Sequence, residues 1–152
     1  MPKPLIYLVE DDLDDQYMFK MIVQQLSLDV ELCIFDDGLS AYKAIAHTDN
    51  EGQLHSPKRQ PDLVLLDLNL PIWDGKKTLS IIKKDQRLCS IPILIYTTSK
   101  AEYDIAECYQ LGANSFITKA AEFEKLYAQI QHIFTYWLST ASLSLCQDSA
   151  YR

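Results

Sequence analysis

The chain has 152 residues, a hydrophobic fraction of 48%, a net charge of −7 and a pI of about 4.8. That length suits one domain with a sizeable core, and the acidic balance argues against a nucleic-acid binder, which needs a basic patch. No apolar run approaches membrane-spanning length, and Met1-Pro2-Lys3-Pro4 leads into an apolar segment with no signal-peptide core.

The first apolar run, Leu5-Ile6-Tyr7-Leu8-Val9, reads as a buried strand and passes at once into Glu10-Asp11-Asp12. From Asp14 to Leu26 the spacing is helical, with Met18, Ile22 and Leu26 on one face and Phe19 and Val23 beside them. Asp14 and Asp15 sit in the first turn, where the helix dipole favours anions. Val30 to Phe35 reads as a second strand, Asp36-Asp37-Gly38 as a turn, and Leu39 to Ala46 as a short helix. His47 to Gln60 is polar and reads as a long surface loop.

Next comes Asp62-Leu63-Val64-Leu65-Leu66-Asp67-Leu68-Asn69-Leu70-Pro71. Leu63 to Leu66 is unbroken apolar sequence, as in a strand buried on both faces of a parallel sheet. It ends on Asp67, at the carboxyl end of the strand, where open α/β sheets hold their ligands. Taken alone, this stretch is equally consistent with Asp67 as a turn residue that closes the strand.

Trp73-Asp74-Gly75 reads as a turn, and Lys76 to Lys84 as a helix with Leu79 and Ile82 inward. The pairs Lys76-Lys77 and Lys83-Lys84 read as solvated helix faces. Ile91 to Tyr96 is a fourth strand, followed by Thr97-Thr98-Ser99. Glu102 to Leu111 is helical and Gly112 is placed to stop it. Asn114 to Thr118 is a fifth strand, followed by Lys119. A last helix runs from Glu122 to about Leu138, its apolar face supplied by Phe123, Leu126, Ile130, Ile133, Phe134 and Trp137.

Strands that alternate with helices predict an α/β fold: a doubly wound, five-stranded parallel sheet in the flavodoxin-like order 2-1-3-4-5. The domain is expected over residues 1–140, with 141–152 a tail whose small and polar composition is that of a disordered segment.

This order gathers Glu10, Asp11 and Asp67 in one crevice, with Thr97 and Lys119 at neighbouring strand ends. Three carboxylates that close repel one another and need a cation. Hard oxygen donors without His or Cys nearby point to Mg2+. A cation also prepares a carboxylate to receive a phosphoryl group, with a lysine and a hydroxyl (Thr97 or Thr98) to pair with its oxygens. Cys33, Cys89, Cys108 and Cys146 form no C-x-x-C pair, and His47, His55 and His132 are not grouped near them. This argues against zinc and for reduced thiols in a cytoplasmic protein.

In these motifs and their order the chain resembles a response-regulator receiver domain, the family that includes the chemotaxis response regulator. The resemblance rests on Val9-Glu10-Asp11, Leu65-Leu66-Asp67-Leu68-Asn69-Leu70-Pro71, Asp74-Gly75, Ile91-Pro92, Tyr96-Thr97-Thr98-Ser99, Gly112-Ala113 and Lys119. It implies that Asp67 accepts a phosphoryl group from a sensor histidine kinase. Glu10, Asp11, Asp67 and the main-chain carbonyl of Asn69 would hold Mg2+. Thr97 would be the hydroxyl that moves toward the phosphate, Phe116 the aromatic switch, and Lys119 the partner of the phosphate. The chain would then be a signalling protein that in part catalyses its own phosphorylation and dephosphorylation, not a turnover enzyme.

Two departures from the family pattern stand out. Ala120 follows Lys119 where proline is usual, so a trans peptide is expected. Phe116 lacks the hydroxyl of the commoner tyrosine. The long loop, the missing proline and the Trp137-Leu138 ending resemble the small single-domain regulators paired with bacterial phytochrome histidine kinases. Too few residues follow for an output module, so a protein partner is expected, with no nucleic acid and no membrane. The aromatic cluster Phe134, Tyr136 and Trp137 suggests a homodimer contact through the last helix.

Other classes fit less well. A haloacid-dehalogenase-type phosphatase usually wants a second acid two residues past its nucleophile, where this chain has Asn69. A flavodoxin-like binder needs a phosphate loop where this chain has Glu10-Asp11-Asp12. A degenerate receiver, serving only as a scaffold, would not need the acids, Thr97 and Lys119.

Overall fold

In the computed structural model, which describes residues 3–46 and 59–144, five parallel strands form one sheet in the order β2-β1-β3-β4-β5. The strands are β1 (Leu5–Val9), β2 (Glu31–Phe35), β3 (Leu63–Leu66), β4 (Ile93–Thr97) and β5 (Ser115–Thr118). The helices are α1 (Leu13–Gln25), α2 (Gly38–Ala46), α3 (Gly75–Lys84), α4 (Glu102–Gln110) and α5 (Phe123–Thr135), with a π turn over Tyr136–Thr140. The long-loop expectation falls largely on residues 47–58, and much of the tail expectation on 145–152, outside the described residues.

The unbroken apolar runs of the inner strands follow from burial on both faces. On β1, Leu5, Tyr7 and Val9 face a core with Ala41, Ile45, Leu79, Ile82 and Cys108, from α2, α3 and α4. Ile6 and Leu8 face the opposite core with Phe19, Ile22, Ile130 and Phe134, from α1 and α5. Among the described residues, no helix is long and apolar enough to cross a membrane.

Several boundaries differ from the sequence reading. Strand β4 begins at Ile93, because Pro92 has no N–H for the ladder and offers only its carbonyl, which accepts from Val64 N at 3.0 Å. Met18 is only half-buried, and the α1 stripe runs through Phe19, Ile22 and Val23. The stop at Gly112 agrees with the structure, with φ +104°, a conformation that glycine adopts without a Cβ clash. The lysine pairs are not plain solvated faces. Lys76 Nζ bridges Asp104 at 2.7 Å and Glu107 at 2.6 Å, which ties α3 to α4. Lys83 Nζ donates to the carbonyls of Cys89 and Ile91 and to Asn114 Oδ1. Lys77 and Lys84 are exposed.

The end of the chain corrects the aromatic-patch reading. Phe134 is 2% exposed, with its ring 6.0 Å from Phe19, so it belongs to the core and to no dimer surface. Phe123, expected inward, is exposed at the first turn of α5. Helical phase puts the two on the same face, eleven residues apart, so the difference lies along the helix: Phe123 is the first residue of α5, whereas Phe134 sits near its end against Phe19 of α1. Trp137 is half-buried against the α1–α5 core, and Tyr136 is 52% exposed, edge-on to Trp137 at 5.2 Å.

Candidate functional site

Backbone bonds place each strand end. Glu10 N donates to Phe35 O at 2.9 Å, and Asp67 N donates to Val9 O at 3.1 Å. These bonds extend the ladders one residue past β1 and β3 and set the two acids side by side. Lys119 N donates to Thr97 O at 2.7 Å, and Thr118 Oγ1 donates to Ser99 O at 2.9 Å. The lysine is thereby fixed beside the end of β4.

Carboxylate oxygens of Glu10, Asp11 and Asp67 lie within 4.8 Å of one another. Glu10 is 2% exposed and Asp11 is exposed. This donor set fits a small hard dication that takes a few carboxylates and keeps several waters, which is the habit of Mg2+. Asn69 is exposed two residues past Asp67 and lines an open cleft of about 500 Å³ with Leu68, Ser99 and Asp104.

Lys119 is buried among acids. Its Nζ lies 2.9 Å from Glu10 Oε2, 2.9 Å from Asp15 Oδ2 and 3.4 Å from Asp67 Oδ2. The Tyr96 ring lies beside it, with Nζ 5.1 Å from the centroid. Burial alone would lower the lysine pKa, but the bonds to Glu10 and Asp15 outweigh it and raise the value. Burial, joined by the neighbouring Asp67, pushes Glu10 up to about 8, against the pull of Lys119. Burial also acts to raise Asp67, but bonds to Glu10, Thr97 and the Leu68 N–H, with the charge of Lys119, bring it below the usual carboxylate range. The two carboxyls are therefore pushed in opposite directions, Glu10 toward its protonated form and Asp67 toward its ionised one.

The structure brings together Glu10, Asp11, Asp67, Thr97 and Lys119, as expected from sequence. Thr97 is fully buried, whereas Thr98 is exposed and lines a separate cleft with Lys100 and Lys125. Phe116 is half-buried against the α2–α3–α4 core, and its N–H donates to Tyr109 Oη of α4 at 3.1 Å. The described chain has no cis peptide, in agreement with a trans Lys119-Ala120 bond.

Two features were missed. Gln129 of α5 grips the loop after β5: its Oε1 accepts from Ala120 N at 2.9 Å and its Nε2 donates to Thr118 O at 2.8 Å. Asp15, read as a helix-dipole residue, reaches Lys119. The Asp12-x-x-Asp15 spacing of a helix start was the only sequence signal for it.

The loop after Asp67 is tightly constrained. Asp74 caps α3 by accepting from Lys77 N at 2.8 Å, the turn chemistry expected of it. A Cβ on Gly75 would lie 2.1 Å from the Asp67 carbonyl oxygen and 2.8 Å from Leu68 Cα. Gly75→Ala is therefore expected to cost about 2 kcal/mol. By displacing Asp67 it should also slow, by at least about tenfold, the phosphoryl uptake that the sequence leads one to expect there. Chemical denaturation and timed mass spectrometry check the two effects. Ile72, 72% exposed, has φ +66°, an outlier for a β-branched residue. Ile72→Gly should raise stability by about 1 kcal/mol, seen as a higher urea midpoint at unchanged slope.

Comparison with known proteins agrees with this geometry. The sequence matches the response regulator receiver domain family over residues 6–131. It is 37% identical over 142 residues to the response regulator Rcp1 of Synechocystis sp., covering 93% of this chain and 94% of that protein. The crystal structure of the phosphorylated cyanobacterial phytochrome response regulator RcpA is similar, with a TM-score of 0.84 at 36% identity over 93% of this chain and 99% of that one. The Mn2+-bound form of Rcp1 has a TM-score of 0.82 at 37% identity, covering 94% and 99% of the two chains. A parallel sheet in the order 2-1-3-4-5, acids at the ends of its first and third strands and a family match across most of its length together make this chain a member of the response regulator receiver domain family.

Proposed function

We propose that Asp67 is the phosphoacceptor of a two-component response regulator, with Glu10, Asp11, Asp67 and the Asn69 carbonyl holding Mg2+. The observation that carries this reading is the ion cluster at the strand ends: three carboxylates within 4.8 Å, with the Lys119 ammonium 2.9 Å from one and 3.4 Å from the acceptor. In the transfer step, an ionised Asp67 oxygen attacks phosphorus. The new P–O bond forms as the bond to the donor breaks, and that electron pair leaves with the donor. Lys119 pairs with a phosphoryl oxygen, and the Thr97 hydroxyl donates to another. Bound Mg2+ offsets negative charge on the transferring group.

Phosphorylation adds about −1.5 to −2 charges at neutral pH. That charge draws the Thr97 hydroxyl toward the phosphate and lets Phe116 of β5 turn inward, so the output surface is α4, β5 and α5. The donor is a sensor histidine kinase. Similarity to Rcp1 and RcpA over nearly the full length of each favours a phytochrome-type kinase. The receiver occupies residues 1–140, with 141–152 as a tail. We place the protein in the cytoplasm, acting on a protein partner without contact to nucleic acid or membrane. The free thiols Cys33, Cys89 and Cys108 suit a reducing compartment. With Phe134 buried, a homodimer contact at the end of α5 falls to Tyr136 and the outer edge of Trp137.

Mass spectrometry after incubation with acetyl phosphate, with and without Mg2+, tests the acceptor reading. One added phosphoryl group that depends on Mg2+ is expected. An unmodified, folded protein would overturn it. Size-exclusion chromatography of wild type and Tyr136→Ala tests the dimer, and identical monomer profiles would remove it.

A further inference from the structure

The contact between Asp15 and Lys119 joins residues 104 positions apart. Asp12 caps α1, its Oδ1 accepting from Asp15 N at 2.9 Å. In a reciprocal capping arrangement, the acid three residues into the helix bonds back to the N–H of the cap. Here that N–H is taken, because Asp12 N donates to Glu10 Oε1 at 3.2 Å. The Asp15 carboxylate therefore turns away from its own helix end. It keeps the favourable field of the first turn and accepts from Lys119.

The three contacts of the ammonium are unequal. It has three protons to give, and its two short contacts, 2.9 Å each, go to Glu10 and Asp15. The contact to Asp67 is the longest, at 3.4 Å. Glu10 and Asp67 also belong to the carboxylate cluster that suits a divalent cation, and Asp15 does not. Lysine and metal thus draw on the same two acids, while Asp15 serves the lysine alone.

We infer that Asp15 is a positioning residue for Lys119: it gives the ammonium a carboxylate outside the metal cluster, holding it nearer Glu10 and Asp15 than Asp67 and leaving the Asp67 oxygens open to a divalent cation. This rests on the reading of Glu10, Asp11 and Asp67 as the metal and phosphoacceptor site. Without Asp15, the ammonium loses one of its two short contacts, closes on Asp67 and competes there with the metal.

Isothermal titration with Mg2+ of wild type, Asp15→Asn, Lys119→Met and the double variant separates this role from that of a distant negative charge. With Lys119 present, Asp15→Asn should weaken Mg2+ binding about tenfold. In the Lys119→Met background the same change should cost about twofold or less. An equal loss in both backgrounds overturns the inference. A second measurement does not require the lysine variant to fold. The Lys119 ammonium resonance should shift in Asp15→Asn as the ammonium moves onto Asp67, and an unchanged resonance also overturns the inference. Wild type that binds no Mg2+ would reject the metal site itself, and the resonance comparison would then test the Asp15 contact separately.

Discussion

Asp67→Asn, incubated with acetyl phosphate and Mg2+, keeps its unmodified mass while wild type gains one phosphoryl group. The expected drop in uptake is at least about a thousandfold, since on the proposed reading the residue removed is the nucleophile itself. Asparagine matches aspartate in shape, so the backbone bond from residue 67 to Val9 O and the Gly75 contact survive. What is lost is the charge. An amide has no ionised oxygen to attack phosphorus, and its nitrogen cannot replace one. The metal cluster also loses one of its three carboxylates, so Mg2+ affinity should fall by at least about tenfold. A phosphoryl group found on another residue of this variant would move the acceptor elsewhere. The folded state of the variant can be checked independently by its thermal transition.

Lys119→Met should destabilise the metal-free protein by about 3 kcal/mol, within the range for removing one partner of a buried ion cluster. For a chain of this size, that is a fall of about 10 °C in Tm. The lysine is surrounded by Glu10, Asp15 and Asp67, and burial of the first and last leaves little water to replace it. The effect has a definite pH dependence. The folded-state pKa of Glu10 is raised from 4.5 to about 8, mainly by burial and then by Asp67, with Lys119 opposing the rise. Between those values the folded state holds more protons than the unfolded one, so the Glu10 contribution to stability falls as pH rises. Removing Lys119 removes the opposing influence and steepens that fall. Urea midpoints should therefore differ less between variant and wild type near pH ~6 than near pH ~8. Saturating Mg2+ should recover more stability in the variant than in wild type, because the metal then supplies the missing positive charge. A destabilisation that ignores both pH and Mg2+ would mean that Lys119 acts through its hydrocarbon stem alone.

The parts of this site that were legible from sequence share a cause. Leu63 to Leu66 could be read as an inner strand because burial on both faces leaves an unbroken apolar run. Asp67 and Glu10 could be read as neighbours because strand order in a parallel sheet fixes which ends meet. Thr97 and Lys119 followed from the same rule. The parts that were not legible depend on side-chain direction. Asp15 looks like any acid in a first helical turn until Glu10 takes the N–H it would otherwise bond. Gln129 carries no signal at all, since its grip on Ala120 and Thr118 depends on how α5 lies along β5. Ile72 shows nothing unusual until the turn after Pro71 gives it a positive φ. Phe134 carried two signals, a place on the apolar face of the last helix and a place in an aromatic cluster, and packing against Phe19 of α1 decides for the core.

The loop that follows the acceptor also contains a natural light source. Trp73 lies 5.2 Å from the ring of Tyr42, under the ammonium of Lys77 at 4.8 Å, and its carbonyl is bound by Gly38 N at 3.2 Å. It is six residues from Asp67 in a turn held at both ends. The other indole, Trp137, is seated against the α1–α5 core. The emission of this protein therefore comes from two stations, one in the turn six residues past Asp67 and one near the end of α5. With Trp137→Phe as the background, the remaining indole emission reads the acceptor loop directly. A change in that emission on adding Mg2+ or acetyl phosphate would report, without an attached dye, that filling the crevice moves this turn.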